Sequence, residues 1–264
     1  MRAVEQEVSP RRERPIIDYP DSDGEPMADN DPQYRCITDT RFALEQYYHD
    51  DFRVYVGADL LIYYVEGDPT KSVAPDVLVS LGVPKRNRRS YRLWEEGKPP
   101  DVVYEFASER SWRGDLGWKR GLYEGLGIRE YFLFDPTGEY FSPVLRGYRL
   151  EEEVYQRLPL MESPSGEISL VSEVLGLELW VKTDGEEGMP WVLRLYDPKT
   201  GKWLPTPAEE AEARRTAEAR AAEAEARAAE EAQARHAAEA RATALAVELD
   251  RLRAELDRKA GQGG

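Results

Sequence analysis

Residues 101–136 read DVVYEFASERSWRGDLGWKRGLYEGLGIREYFLFDP, and they are the most informative part of the sequence for the fold. Residues 101–107 carry apolar side chains on both alternating faces, which predicts a strand buried on both sides. Residues 112–127 repeat apolar side chains at helical spacing, and residues 130–134 form a second apolar run. A strand, a helix and a further strand in direct succession predict one packed α/β unit.

Two charged residues occupy positions of this unit where apolar residues are expected. Glu105 lies within the buried strand, where a carboxylate is costly unless it is paired or coordinates a metal. Lys119 lies in the middle of an apolar helical stripe that is marked by Trp112, Leu116, Tyr123 and Leu126. Because the strand and the helix are consecutive, we expect the helix to pack on the strand and to bring Lys119 towards Glu105.

A third candidate, Asp76, opens another apolar strand directly after Pro75. Carboxylates supply the hard oxygen ligands that magnesium and manganese prefer, and a bound cation activates water. We therefore predict that Asp76 and Glu105 bind Mg²⁺ or Mn²⁺, and that Lys119 orients the attacking water or stabilises developing charge. The alternative is an ordinary strand-start aspartate at Asp76 and a structural ion pair between Glu105 and Lys119.

The flanking sequence predicts a mixed α/β (α+β) domain over residues 31–206. Its predicted elements before this stretch are a helix near 34–49, strands near 52–57, 59–65 and 76–81, and a loop over 83–99. After Asp135 the pattern changes to short alternating segments, which indicates a β-rich C-terminal part. The run WVLRLYDPKTGKWL, residues 191–204, predicts a hairpin around Pro198 and Gly201.

The two ends of the chain differ from this domain in composition. Residues 1–30 are rich in Pro, Asp, Glu and Arg, which predicts disorder. Residues 207–260 are mainly Ala, Glu and Arg, which predicts one long helix. In that helix Leu245, Leu249, Leu252 and Leu256 fall at heptad spacing, so we expect a coiled-coil homodimer, with a solvated single helix as the alternative.

The predicted loop concentrates positive charge, in Lys85, Arg86, Arg88, Arg89 and Arg92. We expect these residues to bind the phosphates of a nucleic acid, and Arg110 and Arg113 extend the patch. The alternative is that they balance nearby acidic residues. The net charge of −15 argues against binding through bulk electrostatics, but it allows a small cation-dependent site with a local basic patch.

Composition also excludes several classes of protein. The single cysteine, Cys36, excludes an internal disulfide framework, and with only two histidines a Cys/His zinc cluster is excluded as well. The chain has neither the apolar stretch of a signal peptide at its start nor an apolar run of about 18 residues, the length of a membrane span. We therefore expect a cytoplasmic protein without a membrane partner.

Four segments in chain order resemble the Uma-two family, which belongs to the restriction-endonuclease-like PD-(D/E)XK superfamily. They are GADLLIYYVEGD (57–68), APDVLVSLGVPKRNRRSY (74–91), PPDVVYEFAS (99–108) and DLGWKRGLYEGLGIREYFLFDP (115–136). The resemblance implies a restriction-endonuclease-like mixed sheet flanked by helices, and hydrolysis of phosphodiester bonds in DNA. RNA, or a structured or damaged junction, is the alternative substrate. A non-catalytic module that binds nucleic acid or protein is the competing class.

The resemblance also assigns roles to single residues. Asp76 matches the motif aspartate and Glu105 the motif glutamate, whereas the usual lysine position is Ala107 and the lysine is moved to Lys119 on the next helix. Glu45 and Asp59 are further acidic candidates for accessory positions. These assignments agree with the catalytic set inferred above from burial and spacing.

Overall fold

The computed structural model describes residues 17–22, 24, 26–186 and 188–260. Its helices are α1 (Asp31–Tyr47), α2 (Leu93–Glu96), α3 (Trp112–Gly114), α4 (Arg120–Gly125) and α5 (Pro207–Ala260), and a π-helical segment (Asp115–Lys119) joins α3 to α4. Its strands are β1 (Val54–Ala58), β2 (Ile62–Tyr63), β3 (Ser72–Val73), β4 (Val77–Leu81), β5 (Tyr91–Arg92), β6 (Val102–Phe106), β7 (Glu130–Phe134), β8 (Leu145–Glu151), β9 (Val154–Arg157), β10 (Met161–Glu162), β11 (Ile168–Ser172), β12 (Leu177–Glu186), β13 (Met189–Asp197) and β14 (Lys202–Trp203).

The central sheet has six strands in the order β1-β4-β6-β7-β8-β9. Strands β6 and β7 are parallel, and the helical stretch between them makes the crossover. The other neighbours in this sheet are antiparallel. The predicted α/β (α+β) class with a mixed sheet is therefore confirmed.

Both faces of the central sheet are covered. On one face Val77, Val102 and Tyr104 belong to a core that includes Ile37 and Leu44 of α1 and residues of β11 to β13. On the opposite face lies a second core, formed by residues such as Leu78, Val103, Ala107, Tyr123 and Tyr131. Every residue of β6 and β7 is buried, as the apolar runs predict, so a charged side chain there lies in a dry environment.

The β-rich part after Asp135 forms a second sheet, in the order β10-β11-β12-β13-β14. Strands β13 and β14 make the hairpin predicted around Pro198 and Gly201. Asp197 closes its turn, because its carbonyl accepts from Gly201 N–H at 2.9 Å and its carboxylate accepts from Lys199 N–H at 2.9 Å.

Two regions differ from the predicted elements. The strand expected at 59–65 is reduced to β2, because Asp59 turns the chain with a φ of 47°. The loop expected at 83–99 contains β5, which pairs in parallel with β2, and the short helix α2. A small sheet in the order β3-β2-β5 results.

The N-terminal segment packs on the domain where the structure describes it. Tyr19 lies 5.0 Å from the Tyr63 ring and 5.3 Å from the Trp94 ring, measured between centroids. The Tyr63 hydroxyl donates to the carbonyl of Pro20 at 2.7 Å. Aromatic burial therefore orders part of the region for which composition predicts disorder, and residues 1–16 of that prediction lie outside the described residues.

The chain divides by internal contacts into residues 1–207 and residues 208–264. Helix α5 makes up the described part of the second unit, and its 54 residues include exposed Leu245, Leu249, Leu252 and Leu256. Over the described ranges, no helix combines the length and the apolar character that a membrane crossing requires.

Candidate active site

The register of β4 and β6 brings Asp76 and Glu105 together. Val77 lies opposite Tyr104 and Leu78 opposite Val103, so one step further along the antiparallel pair Asp76 lies opposite Glu105. Facing residues of an antiparallel pair point to the same side of the sheet. The Asp76 carboxylate accepts from the backbone N–H of Phe106 at 2.6 Å, which fixes it beside the end of β6.

Glu105 is held from two directions. Only 1% of its surface is exposed, and its Oε2 accepts a hydrogen bond from Lys119 Nζ at 2.9 Å. Its Oε1 accepts from the Tyr123 hydroxyl at 2.6 Å. Both donors come from the helical stretch that follows β6, as the stripe pattern predicts for Lys119. A buried carboxylate with two donors has one orientation.

The π-helical segment introduces a second carboxylate beside Lys119. The segment runs from Asp115 to Lys119, and Asp115 Oδ1 lies 2.9 Å from Lys119 Nζ. Asp115 is 1% exposed, and neither of its carboxylate oxygens accepts a well-formed hydrogen bond. π-helical turns are rare and frequently occur at functional sites. Lys119 therefore lies between two buried carboxylates.

A pocket of about 430 Å³ opens onto this cluster. Asp76 and Lys119 form part of its wall, together with Asp59, Gln33 and Arg110. Gln33 of α1 is 5% exposed, and its Nε2 donates to the Phe106 carbonyl at 3.2 Å and lies 3.4 Å from Asp76 Oδ1. The remaining wall residues come from the N-terminal segment and from the turns after β3 and β6: Pro26, Met27, Ala28, Asp29, Ala74, Ser108 and Ser111.

Burial and charge perturb every titratable group of the cluster. Burial raises the pKa of Asp76 to about 7, although Lys119 and the Phe106 N–H oppose the shift. Burial also raises the pKa of Glu105 well above its ordinary value and raises that of Asp115. Burial acts against the charge of Lys119, but Glu105, Asp115 and Asp76 outweigh it and raise its pKa. Three carboxyls around one ammonium therefore carry excess negative charge when ionised.

Carboxylate oxygens such as those of Asp76 and Glu105 are ligands that a divalent cation can take. Within the part of the chain that the structure describes, no three His, Cys, Asp or Glu side chains form a ready metal cluster. Magnesium does not need such a cluster, since it is bound in proteins by one or two carboxylates and keeps several waters. Asp76 and Glu105 could supply those two carboxylates.

The accessory candidates lie in different places. Asp59 joins the pocket wall, and its backbone N–H donates to the Asp76 carbonyl at 3.2 Å. Glu45 accepts from Arg41 at 3.0 Å and lines a separate cavity beside Tyr55 and Arg88, away from the catalytic set. The structure therefore brings Asp59 to the site and leaves Glu45 outside it.

The basic residues of the 83–99 region are engaged within the chain. Arg86 and Arg88 both pair with Glu96, at 2.7 and 2.8 Å, and the Arg88 side chain is only 1% exposed. The other three have partners too: Arg89 pairs with Asp21, Arg92 pairs with Glu95, and Lys85 Nζ donates to the carbonyls of Tyr48 and His49. Arg88 therefore balances an acidic residue, as the alternative prediction states, and it is too buried to contact a nucleic-acid strand.

Three residues of the cluster are absent from the predicted set. The sequence does contain a signal for Asp115, because an aspartate four residues before Lys119 can pair with it on one helix face. Tyr123 belongs to the predicted apolar stripe, but the stripe pattern does not indicate that its hydroxyl donates to Glu105. Gln33 has no local signal, since it lies 43 residues before Asp76 in the sequence.

Comparisons with known proteins match this chain to one family model. The Uma2 model, described as "Putative restriction endonuclease", matches residues 10–184. Among solved structures, a crystal structure of "a putative nuclease belonging to DUF820" from Anabaena variabilis ATCC 29413 is similar, with a TM-score of 0.37 and 14% identity. The match covers 52% of this chain and 74% of that chain. The comparison with curated proteins finds no match.

Proposed function

Since the chain belongs to the Uma2 family, we propose that it is a divalent-cation-dependent endonuclease that hydrolyses phosphodiester bonds of DNA. The observation that carries the proposal is the cluster of three side chains beside one pocket, whose wall includes Asp76 and Lys119 while Glu105 is buried behind it. Asp76 and Glu105 face each other across β4 and β6, and Lys119 Nζ lies 2.9 Å from Glu105. Two carboxylates can hold a cation that activates water, and a lysine can stabilise the charge that develops on the phosphate.

Asp76 and Glu105 would hold Mg²⁺ or Mn²⁺ in this proposal. A bound divalent cation lowers the pKa of a water ligand and offsets charge on the phosphate. The chain contributes orientation: the Phe106 N–H fixes Asp76, and the Tyr123 hydroxyl fixes Glu105. Preorganised groups of this kind stabilise a transition state without reorganisation during the reaction.

Lys119 would act on the water or on the phosphate. Its side chain is 15% exposed and forms part of the pocket wall, so its ammonium is accessible there while it pairs with buried carboxylates. An ammonium carries three donors, Glu105 accepts one of them, and Asp115 Oδ1 lies 2.9 Å from the same nitrogen. The third donor is available for the water that attacks or for an oxygen of the phosphate.

An exposed arginine on the wall of the pocket is consistent with a substrate that carries phosphate. Arg110 lies on the wall with its side chain 69% exposed, 3.5 Å from Asp29. Arginine binds phosphate oxygens through a planar fork of donors. RNA presents the same phosphodiester, so the choice between DNA and RNA is part of the test below.

A non-catalytic binding module is the second candidate, and two observations favour it. Lys119 already neutralises Glu105, and the described side chains form no ready cluster of three metal ligands. In that case the buried pair of Glu105 and Lys119 would be structural. The protein would then bind no cation at this site and would cleave no nucleic acid.

We also propose that α5 makes the protein a homodimer in the cytoplasm. The leucine seam of α5 is exposed, with Leu245 at 67% and Leu249 at 52%, which supports pairing with a second copy. The single cysteine, Cys36, is free and buried, in agreement with a reducing compartment.

Cleavage of plasmid DNA, single-stranded DNA and RNA, each with Mn²⁺ and with a chelator, tests the proposed function. We expect Mn²⁺-dependent cleavage of DNA by the parent protein and none by Glu105→Ala. Cleavage of RNA alone would change the substrate and keep the chemistry. Nucleic-acid binding without cleavage at any cation concentration would favour the non-catalytic module.

A further inference from the structure

Asp115 is the buried charge at the site that the roles above leave unassigned. It is 1% exposed and, like Glu105, does not form part of the pocket wall. Its backbone carbonyl accepts from the Tyr131 hydroxyl at 2.8 Å, which anchors the start of the π-helical segment. Its carboxylate has Lys119 as its charge partner, at 2.9 Å, and accepts no well-formed hydrogen bond.

The position of Lys119 creates a competition at Glu105. Lys119 Nζ lies 2.9 Å from Glu105 Oε2, which is an oxygen that a divalent cation would use. An ammonium on that oxygen repels a second cation. The same Nζ lies 2.9 Å from Asp115, so a small displacement of the ammonium towards Asp115 frees Glu105 and keeps Lys119 paired.

We propose that Asp115 is a positioning residue, which retains the Lys119 ammonium at the pocket while Glu105 binds a divalent cation. This inference rests on the proposed function. Without Asp115, the ammonium has Glu105 as its remaining partner at hydrogen-bond distance and competes with the cation for it. The effect of Asp115 on cation binding is therefore conditional on Lys119.

Calorimetric titration of the full-length protein with Mn²⁺ measures this effect. We expect Asp115→Asn to weaken Mn²⁺ binding by about tenfold, the lower end of what outer residues of metal sites contribute. Asp135→Asn is the matched control, because Asp135 is also fully buried but accepts from the backbone N–H of Gly138 and Tyr140 in a turn. The folded Asp135 variant should bind Mn²⁺ like the parent.

The same substitution in a Lys119→Met background separates positioning from direct binding. Without the ammonium, no group has to be held away from Glu105. Asp115→Asn should then leave Mn²⁺ affinity unchanged. Equal weakening in both backgrounds would show that Asp115 acts on the cation itself and would overturn the inference.

Two further outcomes distinguish this inference from the proposed function. Mn²⁺ binding by the parent with an unchanged Asp115→Asn affinity would overturn the inference alone. A parent protein that binds no Mn²⁺ would overturn both. Asp115→Ala is titrated in parallel, so that a folding defect in one variant, detected by circular dichroism, leaves the other to decide.

Discussion

Tyr123 shows how one side chain serves both the core and the site. Its ring is fully buried and packs edge-on against Tyr131, with centroids 5.1 Å apart. Its hydroxyl donates to Glu105 at 2.6 Å. The packing is a property of the apolar stripe, whereas the hydrogen bond is what orients the carboxylate of the proposed cation site.

Tyr123→Phe separates these two contributions. We expect the free energy of unfolding to fall by about 1 kcal/mol, the net contribution of one buried hydrogen bond. Single-turnover DNA cleavage should fall by about tenfold, because Glu105 loses one of its two donors. Tyr155→Phe is the control: it removes a buried hydroxyl that donates to the Ile128 carbonyl at 2.9 Å, and it should change stability alone. Equal cleavage losses in both variants would contradict the role of Tyr123.

The pKa of Asp76 predicts a pH dependence of stability in metal-free protein. Burial raises this pKa to about 7 in the folded state, from 3.8. Between these values the folded state binds a proton that the unfolded state has released, so stability is highest at the low end of the window and falls as pH rises through it. Asp76→Asn should flatten that decline in chelator-treated protein, measured by urea unfolding across the window. Parallel pH profiles of variant and parent would contradict the assignment.

The sequence predicts the contacts of the candidate site where a charged residue interrupts a local apolar pattern. Glu105 in a buried strand and Lys119 in an apolar stripe are visible as charges in the wrong pattern, and the structure pairs them. The contribution of Gln33 depends on how α1 packs over the end of β6, which involves residues distant in sequence. The role of Asp115 depends on a π-helical turn, and no residue pattern in this stretch indicates one.

At the level of secondary-structure elements, the basic region between β4 and β6 is a case in which the local sequence does not predict the contacts that form. Its charges predict a phosphate-binding loop, yet the segment folds back through β5 and α2 and places Glu96 against Arg86 and Arg88. The guanidinium of Arg88 also lies 4.0 Å from the centroid of the Tyr55 ring. The ion pairs with Glu96 depend on a turn that the loop sequence does not specify. The number of positive charges alone therefore could not distinguish phosphate binding from ion pairing within the chain.

Arg88→Ala should therefore destabilise the fold. We expect a loss of about 3 kcal/mol in the free energy of unfolding, because Glu96 keeps Arg86 but loses its buried partner. Arg89→Ala is the matched control: its side chain is 86% exposed, and an exposed ion pair contributes about 1 kcal/mol or less. Thermal or urea unfolding of both variants measures the difference. Equal stability of the two variants would show that the Arg88 pair is not structural.

At the scale of the whole molecule, composition alone predicts that α5 is one helix, but it leaves the partner of that helix open. Ala, Glu and Arg form no broad apolar face, and the exposed leucines and Val247 lie in the last third of the helix. Pairs such as Arg251 with Glu255 at 3.5 Å stabilise the helix by itself. The seam is therefore the feature that indicates a second copy.

Sedimentation of three proteins tests the seam. We expect the parent to be a dimer at tens of micromolar and a Leu249→Lys, Leu252→Lys variant to be a monomer, because charge at heptad core positions prevents pairing. Ala254→Lys adds a charge at an exposed position off the seam and should leave the dimer intact. A monomeric parent would remove the interface, and a Leu249→Lys, Leu252→Lys variant that stays dimeric would place it elsewhere.

We propose that Asp76, Glu105 and Lys119 form a divalent-cation site for hydrolysis. Calorimetric titration of the parent and of Glu105→Gln with Mn²⁺ tests it most directly, because glutamine keeps the size of the side chain and an acceptor for Tyr123. We predict one Mn²⁺ site per chain in the parent and no measurable binding in folded Glu105→Gln. Absence of binding by the parent, or equal binding by both proteins, would contradict the account.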